Sequence, residues 1–342
     1  MIGKASFWGK DIQELGRVAA AGAYATGTGR ISDRDVLDDY VARLLKDYRP
    51  GRDLKVVWDA GNGAAGQAMV KLVAKLPGRH ILLNEAIDGT FPAHHPDPTV
   101  AKNLVQLQER VRAERADLGI AFDGDGDRIG VVDGEARILW GDQILALLAS
   151  EVLAERPGAT IIADVKASQV LFDEVARMGG KPLMWKTGHS IIKTKMAETG
   201  SPLAGEMSGH IFFADRWYGF DDALYAAVRL LSIVARAKES LAQFRDRLPR
   251  AVNTPELRFP CSETRKFAVA EEVKQRLKGS GADVSDVDGV RVRTSDGWWL
   301  LRASNTQDVL VARCEAADEA GLARLKGALA AQLKLSGIDS PV

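Results

Sequence analysis

The chain contains little cysteine, no excess of charge of either sign and no long hydrophobic segment. Only Cys261 and Cys314 occur among 342 residues, too few for a disulfide framework, and both are predicted to be buried packing residues. The 46 Lys and Arg residues balance the 46 Asp and Glu residues, so no overall field favours nucleic acid or an anionic membrane. An anionic ligand must therefore be bound by a local site.

No apolar run approaches the roughly 20 residues of a membrane-spanning helix, and the first residues lack the pattern of a signal peptide. These absences predict a cytoplasmic globular protein with no nucleic-acid or membrane partner. With 342 residues and 46% hydrophobic content, the chain is long enough to form several hydrophobic cores.

Short apolar segments alternate with segments of helical periodicity over the first 250 residues. This alternation predicts an α/β fold with two units, over residues 36–137 and 138–250. The segment "LKVVWDAGNGAAG" (54–66) illustrates the pattern, since a valine-rich strand leads through a glycine turn into a helix. The predicted helices cover residues 35–48, 69–76, 101–113, 142–154, 168–178 and 221–237. The further predicted strands cover residues 80–85, 117–123, 128–134, 159–165 and 182–188.

The character of the sequence changes near residue 250. Pro249, Pro255 and Pro260 interrupt the chain, and short strands and helices follow. A helix is predicted over residues 319–334. We expect residues 251–342 to form a separate, smaller α+β domain.

The segment "AFDGDGDRIGV" (121–131) places Asp123, Asp125 and Asp127 at alternate positions with glycine between them. The glycines relieve the steric limits on the loop, so all three carboxylates can point to one place. Three converging carboxylates repel one another and raise one another's pKa unless a cation lies between them. All-oxygen ligation favours Mg²⁺, Mn²⁺ or Ca²⁺ over Zn²⁺.

Two other interpretations of the aspartate cluster are weaker. A solvated acidic turn fits its composition, but the cluster ends one apolar strand and is followed at once by Arg128 and another apolar strand. An EF-hand loop requires glycine at its sixth position and glutamate at its twelfth, where this chain has Arg128 and Gly134. A divalent-cation site is therefore the preferred interpretation.

The segment "LAGEMSGHIFF" (203–213) places Glu206, Ser208 and His210 at alternate positions. If the segment is extended, a carboxylate, a hydroxyl and an imidazole share one face. A carboxylate beside a hydroxyl suits sugar hydroxyls, which need acceptors as well as donors. An exposed polar strand face is the alternative.

The segment "WLLRASNTQDVLVARCEA" (299–316) contains four polar residues between strand-like runs: Arg302, Ser304, Asn305 and Thr306. A guanidinium, two hydroxyls, an amide and the N–H groups of a turn can hold a dianionic phosphate. An ordinary polar turn is the alternative interpretation, since such a turn alone is a weak signal.

Two further cationic or titratable residues, Lys166 in "DVKAS" and His189 in "WKTGHS", follow apolar strands. Open α/β sheets bind ligands beyond the carboxyl ends of their strands, so both residues could serve an anionic ligand. Solvated charges are the alternative. In "FPAHHPDP" (91–98), His94 and His95 could form a metal site, but the prolines favour a rigid connecting loop.

Together the motifs resemble those of one enzyme family. D-G-D-G-D-R, K-T-G-H-S, G-E-M-S-G-H and R-A-S-N-T, in this order and spacing, are similar to those of the bacterial phosphomannomutase/phosphoglucomutase branch of the α-D-phosphohexomutases. The resemblance extends over nearly the whole chain. It implies two mixed-sheet α/β domains of the phosphohexomutase type followed by a smaller C-terminal α+β domain.

The resemblance also implies an activity and a set of site residues. Hexose 1-phosphate and hexose 6-phosphate, of glucose or mannose, would be interconverted through a phosphoserine and glucose 1,6-bisphosphate. The implied Mg²⁺ ligands are Asp123, Asp125 and Asp127, with Arg128 beside the reacting phosphate. The implied sugar-binding residues are Glu206 and Ser208, and the residues lining the cleft are Lys166, His189 and His210. The other phosphate would be held by Arg302, Ser304, Asn305 and Thr306.

This sequence departs from the family pattern in two places. Asp308 stands where the family commonly has proline, and its charge would weaken phosphate binding unless the side chain points away. The T-A-S-H-N-P loop, whose serine carries the phosphoryl group, has no counterpart, since no Ser-His-Asn run occurs in the 342 residues. Residues 1–35 resemble the end of the phosphoserine domain, and we expect them to be a remnant of it, with a strand and a helix that have no packing partner.

Three explanations for the missing loop are open: an artificial truncation, a gene start assigned at an internal methionine, or natural loss. In each case we expect the chain alone to be inactive, and to be a monomer or a weak homo-oligomer that binds hexose phosphates. A non-catalytic sugar-phosphate-binding or regulatory protein derived from the mutase is the alternative. The three retained aspartates argue against it, because a pure binding protein has little need of the metal.

Overall fold

The structure is a computed structural model that describes residues 6–305 and 307–339. Its first element, α1 (Lys10–Ala21), is exposed along its whole length except at Val18, which is half-buried. A helix was predicted in this segment, and none of its described side chains is buried. The strand that was also predicted there is absent from the described residues 6–34.

The first α/β unit contains a five-stranded mixed sheet. Its elements are α2 (Leu37–Leu45), β1 (Lys55–Asp59), α3 (Ala65–Val73), β2 (Arg79–Leu83), α4 (Val105–Glu114), β3 (Leu118–Phe122), β4 (Ile129–Asp133) and β5 (Ile138–Leu139), with a 3₁₀ turn at Ala101–Leu104. The strand order is β2-β1-β3-β4-β5. β1 pairs in parallel with β2 and β3, whereas β4 pairs antiparallel with β3 and β5. β3 and β4 are buried along their whole length, which explains their continuous apolar sequences.

The second α/β unit repeats this arrangement around a four-stranded sheet. Its elements are α5 (Gly141–Glu155), β6 (Thr160–Asp164), α6 (Gln169–Arg177), β7 (Lys181–Trp185), α7 (His189–Thr199), β8 (Leu203–Gly205), β9 (Ile211–Phe213), α8 (Ala223–Arg236) and α9 (Leu241–Arg247). The strand order is β7-β6-β8-β9. β6 is parallel to β7 and β8, and β9 is antiparallel to β8.

The C-terminal region forms an antiparallel sheet covered by two long helices. Its elements are β10 (Val252–Asn253), β11 (Leu257–Pro260), α10 (Glu263–Gly279), β12 (Asp283–Ser285), β13 (Val290–Thr294), β14 (Gly297–Ala303), β15 (Val309–Ala316) and α11 (Glu319–Leu335). The sheet order is β10-β15-β14-β13-β12, and β11 also pairs with β15. α10 and α11 pack on this sheet around a separate hydrophobic core.

One hydrophobic core runs through both α/β units. α8 belongs to it on both sides, because it packs against α2 and β4 of the first unit and against α5 and β9 of the second. Tyr225, Val228 and Leu230 on this helix are completely buried. The shared helix therefore fixes the loops of the first sheet relative to those of the second.

The structure confirms the predicted α/β layers and the C-terminal α+β region, and it adds one long helix that the sequence did not locate. α10 presents Lys266, Val269 and Val273 to the interior, and all three are buried. A lysine on the inner face interrupts the apolar periodicity, which is why the pattern is hard to recognise. Among the described residues, no helix combines the length and the apolar character needed to cross a membrane.

Candidate active site

The loop between β3 and β4 carries the three aspartates. Oδ1 of Asp123 accepts hydrogen bonds of 3.0, 3.1 and 3.1 Å from three consecutive backbone N–H groups, those of Gly126, Asp127 and Arg128. Gly126 has a φ of +82°, a conformation that favours glycine. The loop curls around the Asp123 carboxylate, and one oxygen from each of Asp123, Asp125 and Asp127 lies within 4.8 Å of the others.

Burial and neighbouring charges determine the protonation of the aspartate loop. Asp123 is only 1% exposed, and burial raises its pKa to about 6 although Arg128 opposes this shift. Burial also acts on Asp127, but the hydrogen bond and charge of His210 outweigh it and lower the pKa of Asp127. Asp125 is exposed. A donor set of three carboxylates without nitrogen or sulfur fits a hard cation such as Mg²⁺.

Arg128 is held from two sides next to the aspartates. Its Nε donates to Oδ2 of Asp123 at 2.6 Å, and its Nη1 donates to Oδ1 of Asp97 at 3.2 Å. Asp97 is itself fixed, because it accepts hydrogen bonds from the backbone N–H and the hydroxyl of Thr99. The sequence analysis treated Asp97 only as part of a rigid connecting loop. Its position between Pro96 and Pro98 was the sequence feature that could have indicated a fixed side chain.

Residues 206–210 form a tight turn between β8 and β9 and not the extended strand considered from the sequence. The backbone N–H of Gly209 donates to the carbonyl oxygen of Glu206 at 3.0 Å. Gly209 has a φ of +94°, and a Cβ there would lie 2.6 Å from the carbonyl oxygen of Ile129. Glycine therefore allows this turn to lie directly against the aspartate loop.

The imidazole of His210 connects this turn to the aspartates. Its Nε2 lies 3.4 Å from Oδ1 of Asp127, and its Nδ1 lies 3.2 Å from Oε2 of Glu206 and 2.9 Å from Oγ of Ser208. Burial alone lowers the pKa of His210, but the hydrogen bonds and charges of the two carboxylates outweigh this and raise it to about 10. His210 therefore carries a positive charge at neutral pH.

Glu206 joins the turn to the start of α7. Its Oε1 accepts the backbone N–H of Gly188 at 2.7 Å, and its side chain is buried. Burial raises the pKa of Glu206, but the hydrogen bond and charge of His210 outweigh burial and lower it. Glu206 is therefore a buried carboxylate that stays ionised.

His189 lies at the first position of α7 and faces Asp221, a residue that the sequence analysis did not single out. Nδ1 of His189 lies 3.3 Å from Oδ2 of Asp221, and Lys193 donates to Oδ1 at 2.8 Å. Burial raises the pKa of Asp221, but its contacts with His189 and Lys193 hold it well below its usual value. The ring of His189 stacks on that of His210 with centroids 5.8 Å apart. The i, i+4 spacing of His189 and Lys193 was the available sequence signal.

Lys166 lies beyond the end of β6, as predicted, but its side chain is buried. Its Nζ lies 3.2 Å from Oε2 of Glu256 and 3.8 Å from Oδ2 of Asp164. Burial lowers the pKa of Lys166, but these two carboxylates outweigh burial and raise it. The ion pair with Glu256 connects the second α/β unit to the C-terminal region.

Of the predicted phosphate-binding residues, Arg302 lies near the end of β14, and Ser304 and Asn305 follow that strand directly. Arg302 and Ser304 are buried and Asn305 is exposed, whereas Thr306 lies outside the described residues. The hydroxyl of Ser304 accepts the backbone N–H of Gln307 at 3.2 Å. Ser304 and Gln307 therefore lie close together where β14 ends and β15 is about to begin, at the end of two inner strands of the C-terminal sheet.

Asp288 joins this phosphate loop to the second α/β unit. Its Oδ2 accepts hydrogen bonds from Nε of Arg302 at 2.9 Å and from the backbone N–H of Thr187 at 3.0 Å. Nδ2 of Asn305 donates to the carbonyl oxygen of Thr187 at 3.5 Å. The Nη2 atom of Arg302 is buried and has no hydrogen-bond partner among the described residues. It is therefore available to an acceptor such as a phosphate oxygen.

These contacts form one continuous line from the aspartates to the phosphate loop. The steps are Asp127 to His210, His210 to Glu206, Glu206 to Gly188, and the adjacent Thr187 to Asp288 and Arg302. The line connects loops or strand ends of all three sheets. Its two ends differ in chemistry, with a cluster of carboxylates at one end and a guanidinium beside a turn at the other.

Comparison with known proteins identifies the family of this chain. Profiles of the phosphoglucomutase/phosphomannomutase family match three consecutive parts of the chain: alpha/beta/alpha domain II over residues 38–136, alpha/beta/alpha domain III over residues 140–252, and the C-terminal domain over residues 256–332. The chain belongs to the phosphoglucomutase/phosphomannomutase family. The resemblance inferred from the four motifs is thereby confirmed.

Relatives within this family are similar over most of the chain. A phosphomannomutase/phosphoglucomutase of Pseudomonas aeruginosa is 43% identical over 333 residues, which are 97% of this chain and 72% of that protein. A phosphoglucomutase of Neisseria meningitidis serogroup A is 40% identical, over 95% of this chain and 72% of that protein. The crystal structure of a phosphoglucomutase/phosphomannomutase family protein from Burkholderia thailandensis has a TM-score of 0.91 at 46% identity, over 97% of this chain and 71% of that one.

Asp308, the departure from the mutase pattern beside the phosphate loop, is exposed. Its carboxyl lies beside Glu263 at the start of α10, whereas Arg302 pairs with Asp288. The Asp308 charge is therefore located toward α10.

His94, His95 and both cysteines lie outside the four mutase motifs. Nε2 of His94 pairs with Oδ2 of the buried Asp59 at 2.8 Å, and His95 is exposed. Among the described residues, these two histidines do not belong to one common group of potential metal ligands. Cys261 and Cys314 are buried and free, as predicted.

Proposed function

We propose that this chain provides the metal-binding, sugar-binding and distal phosphate-binding parts of a phosphohexomutase active site. The supporting observation is the continuous line of contacts from the aspartate loop through the turn at 206–210 to the phosphate loop. Moving a phosphoryl group between C1 and C6 of a hexose requires one phosphate at the reacting end and another held at a distance. The two ends of the line match that requirement.

At the reacting end, Asp123, Asp125 and Asp127 would hold Mg²⁺, which when bound supplies positive charge against the phosphoryl oxygens. Arg128 adds a second positive charge there. Because Asp123 and Asp97 already hold the guanidinium, little reorganisation is needed when charge develops on the phosphoryl group.

In the middle of the site, Glu206 and Ser208 would accept and donate hydrogen bonds to the sugar hydroxyls. His210 donates from a protonated ring, and His189 is stacked beside it. Lys166 contributes a buried positive charge at the base of the cleft. These groups orient the hexose and favour a dianionic ligand.

At the distal end, Arg302, Ser304, Asn305 and Thr306 would hold the phosphate that is not transferred. The buried Nη2 of Arg302 lacks a partner among the described residues, and a phosphate oxygen would satisfy it. A sugar held there by either of its phosphates presents its other end to the aspartate loop. The site thereby accommodates glucose 1,6-bisphosphate in both directions.

The catalytic phosphoserine would lie outside these 342 residues, which contain no Ser-His-Asn run. We therefore propose that the chain alone binds hexose phosphates and Mg²⁺ but does not turn them over. Proteins of the same fold support this ligand class: Aspergillus fumigatus N-acetylphosphoglucosamine mutase has been crystallised with GlcNAc-6P and magnesium, and a serine-to-alanine variant of it with glucose 1,6-bisphosphate.

We further propose a division of labour along the chain. Residues 36–137 form the metal-binding domain, residues 138–250 the sugar-binding domain and residues 251–342 the phosphate-binding domain. Residues 1–35 are a remnant of the phosphoserine domain. The monomeric or weakly associated state of the protein and its location in the cytoplasm both stay predictions.

A turnover assay tests this function. The chain is supplied with glucose 1-phosphate, Mg²⁺ and glucose 1,6-bisphosphate, and formation of glucose 6-phosphate is followed by a coupled enzyme. We expect no turnover from the chain alone, and turnover after it is joined to the preceding segment of the Pseudomonas aeruginosa relative. Turnover by the chain alone at the rate of that relative would contradict the proposal that these 342 residues lack the catalytic phosphoserine. A folded chimera that binds hexose phosphate without turnover would instead indicate a non-catalytic binding protein.

A further inference from the structure

Three consecutive backbone carbonyl groups directly after β6 are bound by the C-terminal sheet. Nη1 of Arg291 on β13 donates to the carbonyl oxygen of Val165 at 2.7 Å and to that of Ala167 at 3.0 Å. Between these two, the carbonyl oxygen of Lys166 accepts a hydrogen bond from Nη1 of Arg313 on β15. Buried carbonyls need such donors once the pairing of a strand has ended. The C-terminal sheet therefore holds the main chain on both sides of Lys166.

Arg291 is itself fixed in the interior. The residue is 4% exposed, and Cζ of its guanidinium lies 3.6 Å from the centroid of the Trp298 ring. Oε1 of Glu315 accepts the indole N–H of Trp298 at 2.8 Å and the backbone N–H of Gln169 at 2.9 Å. Arg291 therefore belongs to a set of buried contacts that also reaches the start of α6.

Stability alone does not explain a buried arginine at this position. The hydrogen bonds of Arg291 within the described part of the chain go to neutral carbonyls and not to a carboxylate. Desolvating a guanidinium costs free energy, and a hydrogen bond to a neutral group offsets less of that cost than one to a charged group does. What the arrangement provides is geometry, because one nitrogen atom fixes the two carbonyls that flank Lys166.

The position of the Lys166 ammonium depends on this main chain. Its Nζ lies 3.2 Å from Oε2 of Glu256 and 3.8 Å from Oδ2 of Asp164. A lysine has a flexible four-carbon stem, so a displaced backbone moves the charge at its end. We propose that Arg291 is a positioning residue, which holds the main chain at 165–167 so that the Lys166 ammonium faces a bound hexose phosphate. This inference rests on the proposed function, in which Lys166 lines the ligand cleft.

Calorimetric binding of glucose 1,6-bisphosphate to the 342-residue chain with Mg²⁺ tests this role. Arg291→Met keeps an apolar side chain beside Trp298 but removes the donor, whereas Arg291→Lys keeps one. We expect Arg291→Met to bind at least about fivefold more weakly, because a misplaced ammonium attracts the phosphate less, and Arg291→Lys to stay within about twofold of the parent chain. Arg293→Met is the matched control, since Arg293 is exposed on the same strand, and it should bind like the parent chain.

A double-mutant cycle distinguishes positioning of Lys166 from a general effect on the interface. If Arg291 acts through Lys166, then Lys166→Met already removes its contribution, and adding Arg291→Met should weaken binding by less than about twofold more. Losses that multiply in the double variant would contradict the proposal. Unchanged affinity in Arg291→Met, with weaker binding in Lys166→Met, would contradict it as well.

Nitrogen-15 NMR of the lysine ammonium groups gives a measurement that needs no ligand. The Lys166 signal is assigned by its loss in Lys166→Met. We expect it to shift in Arg291→Met, to return in Arg291→Lys and to stay in place in Arg293→Met, while unchanged signals of the other lysines show that the variants are folded. An unchanged Lys166 signal in Arg291→Met would overturn the positioning role. A shifted signal with unaltered affinity in both Arg291→Met and Lys166→Met would overturn the inference through the proposed function, because Lys166 then does not meet the ligand.

Discussion

Individual residues of this site work in pairs of opposite charge, and the partner comes from another segment of the chain in most cases. Arg128 is held by Asp97, His210 by Glu206, and Lys193 by Asp221. Such pairing keeps each cation in place before a ligand binds, which reduces the reorganisation required on binding. Removing one member leaves the other buried and unpaired, so single substitutions should have large effects.

The pH dependence of Mg²⁺ binding tests the residue at the centre of the aspartate loop. Asp123 has its pKa raised to about 6 by burial, so its carboxyl is protonated below that pH and ionised above it. Mg²⁺ requires the ionised form, and its apparent affinity should therefore fall as pH decreases below about 6. Calorimetric titration at about pH 5 and about pH 7.5 should show weaker binding at the lower pH. Equal affinity at both would contradict the assignment of Asp123 as a ligand.

The candidate residues that lie together in the structure are those that one short segment contains. The three aspartates alternate with glycine in a single loop, and Ser304 and Asn305 directly follow Arg302 at the end of β14. Their roles stay predictions. The sequence analysis missed three aspartates, Asp97, Asp221 and Asp288. Each contacts a residue that is distant in sequence and comes close only in the folded chain. A lone aspartate gives no signal of such a partner.

The loop over residues 91–98 shows how an element can position a site residue. It carries Asp97 to Arg128, and it is fastened to the first sheet by His94 on the buried Asp59. Asp59 also accepts hydrogen bonds from the backbone N–H of Gly61 and from Asn84 through its Oδ1. His94 is therefore the partner of the remaining oxygen, Oδ2.

Substitution of His94 tests whether its contact with Asp59 holds the loop against the first sheet. His94→Ala leaves Oδ2 of Asp59 buried without its partner and should cost ~1–3 kcal/mol in the free energy of unfolding. The hydrogen bond with Asp59 raises the pKa of His94 above 6.5, although burial opposes this. The stabilisation is thus complete below about pH 6.5 and is lost as pH rises through the folded pKa. Urea unfolding of both proteins should show their difference shrinking as pH rises.

His95→Ala is the matched control for the His94 variant, because the neighbouring side chain is exposed. Its unfolding free energy should stay within about 0.5 kcal/mol of the parent chain. If His94→Ala and His95→Ala are equally stable, the contact with Asp59 does not fasten the loop.

At the level of elements, the strands were more predictable than the turns between them. β3 and β4 are buried along their length and show continuous apolar sequences. The turn at 206–210 has the alternation of a strand, but its geometry depends on Gly209 approaching Ile129 in the neighbouring unit. Periodicity describes the neighbours of a residue along the chain and carries no information about such a contact.

The whole molecule is organised around α8, which both α/β units share. Arg229 on this helix is fully buried and contacts two carboxylates. Its Nε donates to Oε2 of Glu151 at 2.8 Å, and its Nη1 donates to Oδ1 of Asp215 at 3.0 Å. This ion cluster of Arg229, Glu151 and Asp215 lies within the second unit. The continuous core keeps the aspartate loop and the turn at 206–210 in register.

Removing the buried guanidinium tests the importance of that cluster. Arg229→Ala leaves Glu151 and Asp215 without their central cation and should cost ~3–5 kcal/mol, measured by chemical unfolding. Arg236→Ala removes a partly exposed partner of the same Glu151 and should cost less than about 1 kcal/mol. Similar losses in both variants would contradict a special role for the buried pair.

The most direct measurement of the central claim is calorimetric titration of glucose 1,6-bisphosphate into the 342-residue chain with Mg²⁺. The account predicts binding of one ligand per chain, with affinity at least about tenfold lower in Arg302→Gln, because a charged hydrogen bond to the distal phosphate is lost. Arg293→Gln, an exposed arginine on β13, should bind like the parent chain. Absence of binding, or unchanged affinity in Arg302→Gln, would contradict a site that spans the aspartate loop and the phosphate loop.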